Sequence, residues 1–171
     1  MKKIIGLLIL VILGCSHAYA RDGFEKVSCS GDIAKALIGP TSNETVMAIE
    51  GRHKDLGLKD QGATDYGKFS SITWSICGKD YMVLEENRKN IVHDAIELPP
   101  HSAATPAFEG TCKLNGKDVK ENFVGTLREE AGKDELQAVT AWKVLEKPIK
   151  FVKMSTDGLV CSRNGIPQVQ P

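Results

Sequence analysis

The sequence has no excess of positive charge. Lysine and arginine together number 22, as do aspartate and glutamate, and the two signs are interleaved, for example between Arg52 and Asp60. Proteins that bind nucleic acid or anionic lipid concentrate their basic residues in a patch or along one face. We therefore expect neither nucleic acid nor an anionic membrane surface as a partner.

Motifs that would name a reaction or a cofactor are also absent. The chain contains no Gly-x-Ser-x-Gly elbow, P-loop, dinucleotide fingerprint, HExxH or EF-hand loop. It has no CxxC pair, which is the usual signature of thioredoxin-like redox sites and zinc knuckles. Aromatic residues make up only 6% of the chain and do not cluster, which disfavours a sugar- or peptide-binding platform. We expect no cofactor.

A long apolar run occurs only at the N-terminus. Lys2 and Lys3 precede an uncharged, mostly apolar stretch over residues 4–14, and Ala18-Tyr19-Ala20 follows. This order is typical of a cleaved signal peptide, and the run is shorter than the roughly 20 residues that span a bilayer. The pattern predicts a signal peptide over residues 1–20 and a secreted or periplasmic mature chain, with no transmembrane segment, over residues 21–171.

Cys15 supports an alternative reading of the same segment. It follows Ile12-Leu13-Gly14, which loosely resembles a lipoprotein cleavage box ending in an acylated cysteine. The bulky Leu13 fits that box poorly. If Cys15 carried lipid, the protein would be an envelope-anchored structural component.

Cleavage after Ala20 would leave four cysteines, Cys29, Cys77, Cys112 and Cys161. An even number in an exported protein predicts two disulfides, and four cysteines allow three connectivities. We favour Cys29–Cys77 with Cys112–Cys161, because each bridge then closes one half of the chain. These cysteines are expected to stabilise the fold rather than to react.

The chain predicts an α+β fold, in which an N-terminal helical portion packs on a mainly antiparallel sheet held by disulfides. A helix is expected after the capping residues 30–32, ending at Gly39-Pro40. Residues 42–62 fit either a helix or a strand. About six or seven short strands are expected from the alternation that begins at Ser70. We expect one domain over residues 21–171, with a division near 99–109 as the alternative.

Two residue pairs are candidates for chemistry. Glu50 and His53 are three residues apart, which places a carboxylate and an imidazole on one helical face and makes them weak metal-ligand candidates; a solvated charged face is the simpler reading. His93 and Asp94 are adjacent on a predicted strand and so should point to opposite faces unless a bulge intervenes. Asp94 would then share an apolar face with Val92, Ile96 and Leu98, where a carboxylate needs a partner, a raised pKa or an edge position.

Function is predicted mainly by exclusion. The leading hypothesis is an exported, non-enzymatic binding or accessory protein, such as an inhibitor, whose partner is another protein or a small envelope ligand. The alternative is a small secreted hydrolase whose site is assembled from dispersed residues, with His93, Asp94 and His101 as weak catalytic candidates. The third hypothesis is the structural component anchored through Cys15.

Overall fold

The computed structural model describes residues 22–165; the predicted signal peptide and Cys15 lie outside the described residues. Two short helices, α1 (Ile33–Leu37) and α2 (Val46–Arg52), and a 3-10 turn, Lys54–Leu56, lie in the N-terminal part. The strands of the described residues are β1 (Gly39–Pro40), β2 (Lys59–Asp65), β3 (Phe69–Ile76), β4 (Lys79–Glu86), β5 (Ile91–Glu97), β6 (Ala107–Leu114), β7 (Lys117–Leu127), β8 (Glu135–Glu146), β9 (Ile149–Lys153) and β10 (Leu159–Ser162).

The first five strands form one antiparallel sheet in the order β1-β5-β4-β3-β2. Alternation along β3 and β4 gives this sheet two apolar faces. One face packs against the helices and the N-terminal segment, through a cluster that contains Phe24, Ile33, Leu37, Ile49, Leu56, Leu58, Trp74, Ile76, Tyr81, Val83 and Val92.

Side-chain caps begin both short helices. Asp32 accepts a hydrogen bond from the Lys35 amide, and Thr45 accepts one from the Ala48 amide. Such N-caps satisfy backbone donors that a helix start leaves free. With five and seven residues, neither helix would be stable alone, and burial of the apolar side chains stabilises them.

The remaining strands form a second antiparallel sheet in the order β10-β6-β7-β8-β9. Strand β10 also pairs with β8, which closes β6, β7, β8 and β10 into a small barrel. The barrel interior contains Phe108, Cys112, Phe123, Leu127, Leu136, Ala138, Ala141, Leu159 and Cys161.

A third apolar cluster lies between the two sheets. The first sheet contributes Phe69, Met82 and Leu84 from β3 and β4, together with Leu98 just after β5, and the second contributes Val124, Val144 and Phe151. The first sheet is therefore a middle layer, with the helices on one side and the barrel on the other.

The disulfides join Cys29 to Cys77 and Cys112 to Cys161, the connectivity that the sequence favours. Cys112 and Cys161 are direct cross-strand neighbours on β6 and β10. The alternation of Ile72, Trp74 and Ile76 predicts that Cys77 is a strand residue on the face opposite Trp74, but the strand ends at Ile76. Cys77 has a positive φ of 54° and, with Gly78, forms the two-residue turn between β3 and β4. Paired positive φ values are typical of hairpin turns whose twist matches that of the strands.

The α+β expectation is confirmed only in part, because antiparallel sheet dominates the structure. The described residues contain ten strands in two sheets, rather than six or seven in one. Strand β2 was not predicted, because nearly all of its residues are exposed and its sequence therefore shows no apolar alternation. Period-two alternation predicts that Leu136, Ala138, Thr140, Trp142 and Val144 face one way. A bulge at Val139 instead sends Leu136 and Ala138 into the barrel and Val144 between the sheets.

Candidate functional site

Asp22 is the centre of a polar cluster under the N-terminal segment. Its side chain is fully buried, and its Oδ2 accepts hydrogen bonds from Arg52 Nη1 at 2.6 Å and from His53 Nε2 at 2.7 Å. Oδ1 accepts a third from the Phe24 amide at 3.0 Å. Arg52 also donates to Glu44 through Nη2. Ionic hydrogen bonds thus join the end of helix α2 to the first described residues.

The contacts of Asp22 lower its pKa by more than burial raises it. Burial alone would raise the pKa of this carboxyl, but the hydrogen bonds from His53 and the Phe24 amide, with the charges of His53 and Arg52, hold it below its usual value. Asp22 is therefore a carboxylate engaged in ionic hydrogen bonds at neutral pH.

Glu50 and His53 do not act together in the structure. His53 donates to Asp22, whereas Glu50 accepts a hydrogen bond from the Asp60 amide at 2.8 Å and so joins α2 to β2. Between residues 22 and 165, no group of three or more His, Cys, Asp or Glu side chains is arranged to hold a metal ion.

His93 and Asp94 also have separate partners. A bulge at His93 interrupts the pairing of β4 with β5, so Val92 faces the helices while Asp94 faces the second sheet. The Asp94 carboxylate accepts hydrogen bonds from the amides of Ala95 at 2.9 Å and of Phe151 at 2.8 Å. It therefore links β5 to β9 across the sheet interface. His93 donates to Glu86 at 2.9 Å near the surface.

His101 belongs to a different cluster, which sequence reasoning missed. Its Nε2 lies 3.2 Å from Asp80 Oδ2, and the other oxygen of Asp80 accepts a short hydrogen bond from the Ser75 hydroxyl. Serine, aspartate and histidine are thus adjacent, but the aspartate lies between the other two. In a hydrolytic triad the histidine contacts the serine and removes its proton. Here the histidine contacts the carboxylate through Nε2 and the Pro99 carbonyl through Nδ1. Neither nitrogen contacts the serine, so this order does not activate Ser75.

Glu109 forms a third carboxylate cluster, between the sheets. It accepts hydrogen bonds from the hydroxyls of Tyr66 and Ser71 through Oε1 and from Thr64 through Oε2. Burial, followed by the charge and hydrogen bond of Glu109, raises the pKa of Tyr66 far above its usual value. The cluster joins β3 and the edge of β2 to β6 through neutral hydroxyl donors.

A cleft of about 50 Å³ opens between the N-terminal segment and the helix-side face of the first sheet. Its walls are largely apolar, and four polar side chains reach it. The lining residues are Asp22, Gly23, Phe24, Leu37, Thr41, Ser42, Ile49, Ile72, Trp74, Val83, Glu85 and Val92.

Two carboxyl groups line this cleft. Asp22 has ionic partners, whereas Glu85 has none among the described residues. Alternation along β4 places it on the same face as Tyr81 and Val83. Within residues 22–165 it has no salt bridge, and the neighbouring Thr41 hydroxyl, itself buried, lies outside standard hydrogen-bond geometry. Burial raises the pKa of Glu85, and proximity to Thr41 only partly opposes the rise. Unlike Asp22, this carboxyl is poorly compensated.

No protein-family model, curated protein or solved structure matches the chain. The site therefore has to be interpreted from its own chemistry. Within residues 22–165, no helix is long and apolar enough to span a membrane.

Sequence reasoning did not identify Glu85 as a site residue. One signal was available: Tyr81, Val83 and Glu85 share a strand face, so Glu85 follows two apolar residues on a face that the helices cover. The same reasoning singled out Asp94, whose carboxylate is satisfied by backbone amides.

Proposed function

We propose that this protein is an exported, non-enzymatic binding protein of an oxidising compartment, the periplasm or the extracellular space. The two disulfides support the location, because such bonds form and persist mainly in oxidising compartments. The predicted signal peptide over residues 1–20 points to the same destination.

The observation that carries the binding role is the cleft beside Glu85. Small-ligand sites are usually concave and largely apolar, with a few convergent polar groups. The cleft has this kind of lining, and its volume of about 50 Å³ admits part of a ligand rather than the whole of one. A half-buried carboxyl without a compensating partner costs stability, and such costs are concentrated at functional sites. A ligand that supplied the missing partner would remove this cost.

The contacts of the other acids support binding rather than catalysis. Asp22, Asp94 and Glu109 all accept hydrogen bonds that join separate elements of the fold. A carboxylate held in this way is positioned to stabilise the fold. Glu85, by contrast, lines a cleft and has no salt bridge among the described residues, so it can accept a hydrogen bond from an external partner.

The test compares ligand-induced thermal stabilisation of the wild type with that of two variants. Small-molecule fractions from the compartment where the protein resides are screened by thermal unfolding, because a ligand of the native state raises Tm by mass action. We expect a stabilising fraction whose effect is lost in Glu85→Gln and kept in His101→Ala. Turnover of a component of that fraction, abolished by His101→Ala, would instead establish the hydrolase alternative.

A further inference from the structure

The size of the cleft restricts what can enter it. An engineered cavity that holds benzene has a volume of about 150 Å³, roughly three times the volume here. A ring does not fit, but the end of a narrow chain does. The cleft is also open to solvent on one side, so the rest of the ligand can leave through its mouth.

The charges of the cleft restrict the ligand further. Two lining residues, Asp22 and Glu85, are acidic, and none of the lining residues is Lys, Arg or His. Asp22 already receives donors from Arg52 and His53, which leaves Glu85 as the lining carboxyl with no cationic partner among the described residues. An anionic ligand would meet two carboxyls with no compensating cation in the lining, whereas a cationic ligand would meet its counter-charge.

We propose that the cleft binds a primary alkylammonium group, with the –NH₃⁺ donating to the Glu85 carboxylate and the Thr41 hydroxyl. An ammonium has three donors and no acceptor, which suits a carboxylate and a hydroxyl that both lack partners of good geometry. The alkyl stem would lie along Ile72, Val83 and Val92. Trp74 adds an aromatic surface to the same wall. This inference rests on the proposed binding function and specifies its ligand class.

Ethylammonium is the probe of choice because its two carbons fit the enclosed volume. The two tryptophans provide the readout, since Trp74 lines the cleft while Trp142 lies on the second sheet beside Lys153. In an NMR titration of the wild type at neutral pH, ethylammonium should shift the Trp74 indole resonance and leave that of Trp142 unchanged. Ethanol, which has the same number of heavy atoms but is neutral, should shift neither.

Glu85→Gln and Glu86→Gln form a matched pair of variants. Glu86 is the next residue on the strand, points to the opposite face and pairs with Lys89 and His93. We expect Glu85→Gln to weaken ethylammonium binding about tenfold or more, the usual effect of losing a charge-assisted hydrogen bond. Glu86→Gln should bind as the wild type does. Equal affinity in both variants, or no shift of Trp74 in the wild type, overturns the inference.

A second titration distinguishes the two natural sources of an alkylammonium group. Nα-acetyl-lysinamide represents the lysine side chain of a partner protein, and ethylammonium represents a free amine. Tighter binding of the lysine derivative indicates a protein partner, and tighter binding of ethylammonium indicates a small metabolite. If neither binds while compartment fractions still stabilise the protein through Glu85, the amine assignment fails and the binding function stands.

Discussion

At the scale of single residues, Glu85 and Glu86 show how one position along a strand changes the chemistry of a carboxyl. Hydrogen bonds from His93 and Lys89 lower the pKa of Glu86, whereas burial raises that of Glu85. A raised carboxyl pKa means that folding becomes less favourable as pH rises from the unfolded pKa through the folded one. Glu85 therefore reduces stability at neutral pH, and Glu86 adds to it.

The two neutralising substitutions should consequently have opposite effects on stability. At pH 7, Glu85→Gln should increase the free energy of unfolding by about 1 kcal/mol, because it removes a poorly compensated buried charge. Glu86→Gln should decrease it. Urea denaturation of both variants checks the signs, and a loss of stability in Glu85→Gln would mean that its carboxylate has a compensating partner.

Asp22 gives a second prediction at this scale. Because its pKa is lowered, its contribution to stability is complete above the unfolded value of about 3.9 and disappears as pH falls through the folded value. Asp22→Asn should reduce the free energy of unfolding at pH 7 by about 2–4 kcal/mol, since it leaves Arg52 and His53 without their buried counter-charge.

Measurement of unfolding across pH checks this account. The difference between Asp22→Asn and the wild type should shrink below about pH 4, as the wild-type carboxyl becomes protonated. Asp157→Asn, at an exposed carboxyl of the second half, serves as the control and should show little change. A difference that is constant with pH would contradict an ionic role for Asp22.

At the scale of elements, strands were predictable where alternation was regular and not where it was broken. Strand β3 follows the pattern over its whole length, with Trp74 and Ile76 on the helix side. Bulges at His93 and Val139 reverse the faces of the residues beyond them. A bulge depends on pairing with another strand, so the residues of one strand do not reveal it.

Gly125 shows how closely two of these elements approach. A Cβ at this residue of β7 would lie 2.0 Å from the Thr140 carbonyl oxygen of β8. Gly125→Ala should therefore destabilise the protein by about 3 kcal/mol or more, because backbone atoms would have to move. Gly62→Ala is the control: its φ is also positive, but nothing lies within 4 Å of the added atom. Urea midpoints that fall equally in both variants would show that φ alone decides the cost.

At the scale of the whole molecule, the two disulfides close loops of nearly equal length in two different layers of the fold. The sequence separations are 48 and 49 residues, so the chain-entropy model gives each about 4 kcal/mol. Their environments differ, since Cys29 is exposed while Cys112 and Cys161 are buried in the barrel. The pairing was predictable from cysteine spacing, whereas the closure of the barrel by β10 depends on contacts between distant strands.

This difference in burial predicts the order of reduction. A mild reductant under native conditions should open Cys29–Cys77 first, because a thiolate must reach the sulfur that it attacks. Alkylation followed by peptide mapping should therefore label Cys29 and Cys77 before the other pair. Simultaneous labelling of all four cysteines would show that the layers unfold together before either bond is reduced.

The proposed binding site also depends on the fold of the whole molecule, because it is formed by residues that are far apart in the sequence. The cleft is lined by the N-terminal segment, two helices and three strands, so its members are separated by up to 70 residues. The candidates His93, Asp94 and His101 have different partners in the fold. The sequence shows which residues can ionise or donate hydrogen bonds, but only the fold shows which of them lie close together.

Native mass spectrometry of the protein isolated from its own compartment tests whether the cleft beside Glu85 is the binding site. We expect a small bound mass on the wild type and on His101→Ala that is missing from Glu85→Gln. A bound mass that persists in Glu85→Gln and is lost in His101→Ala would contradict this assignment.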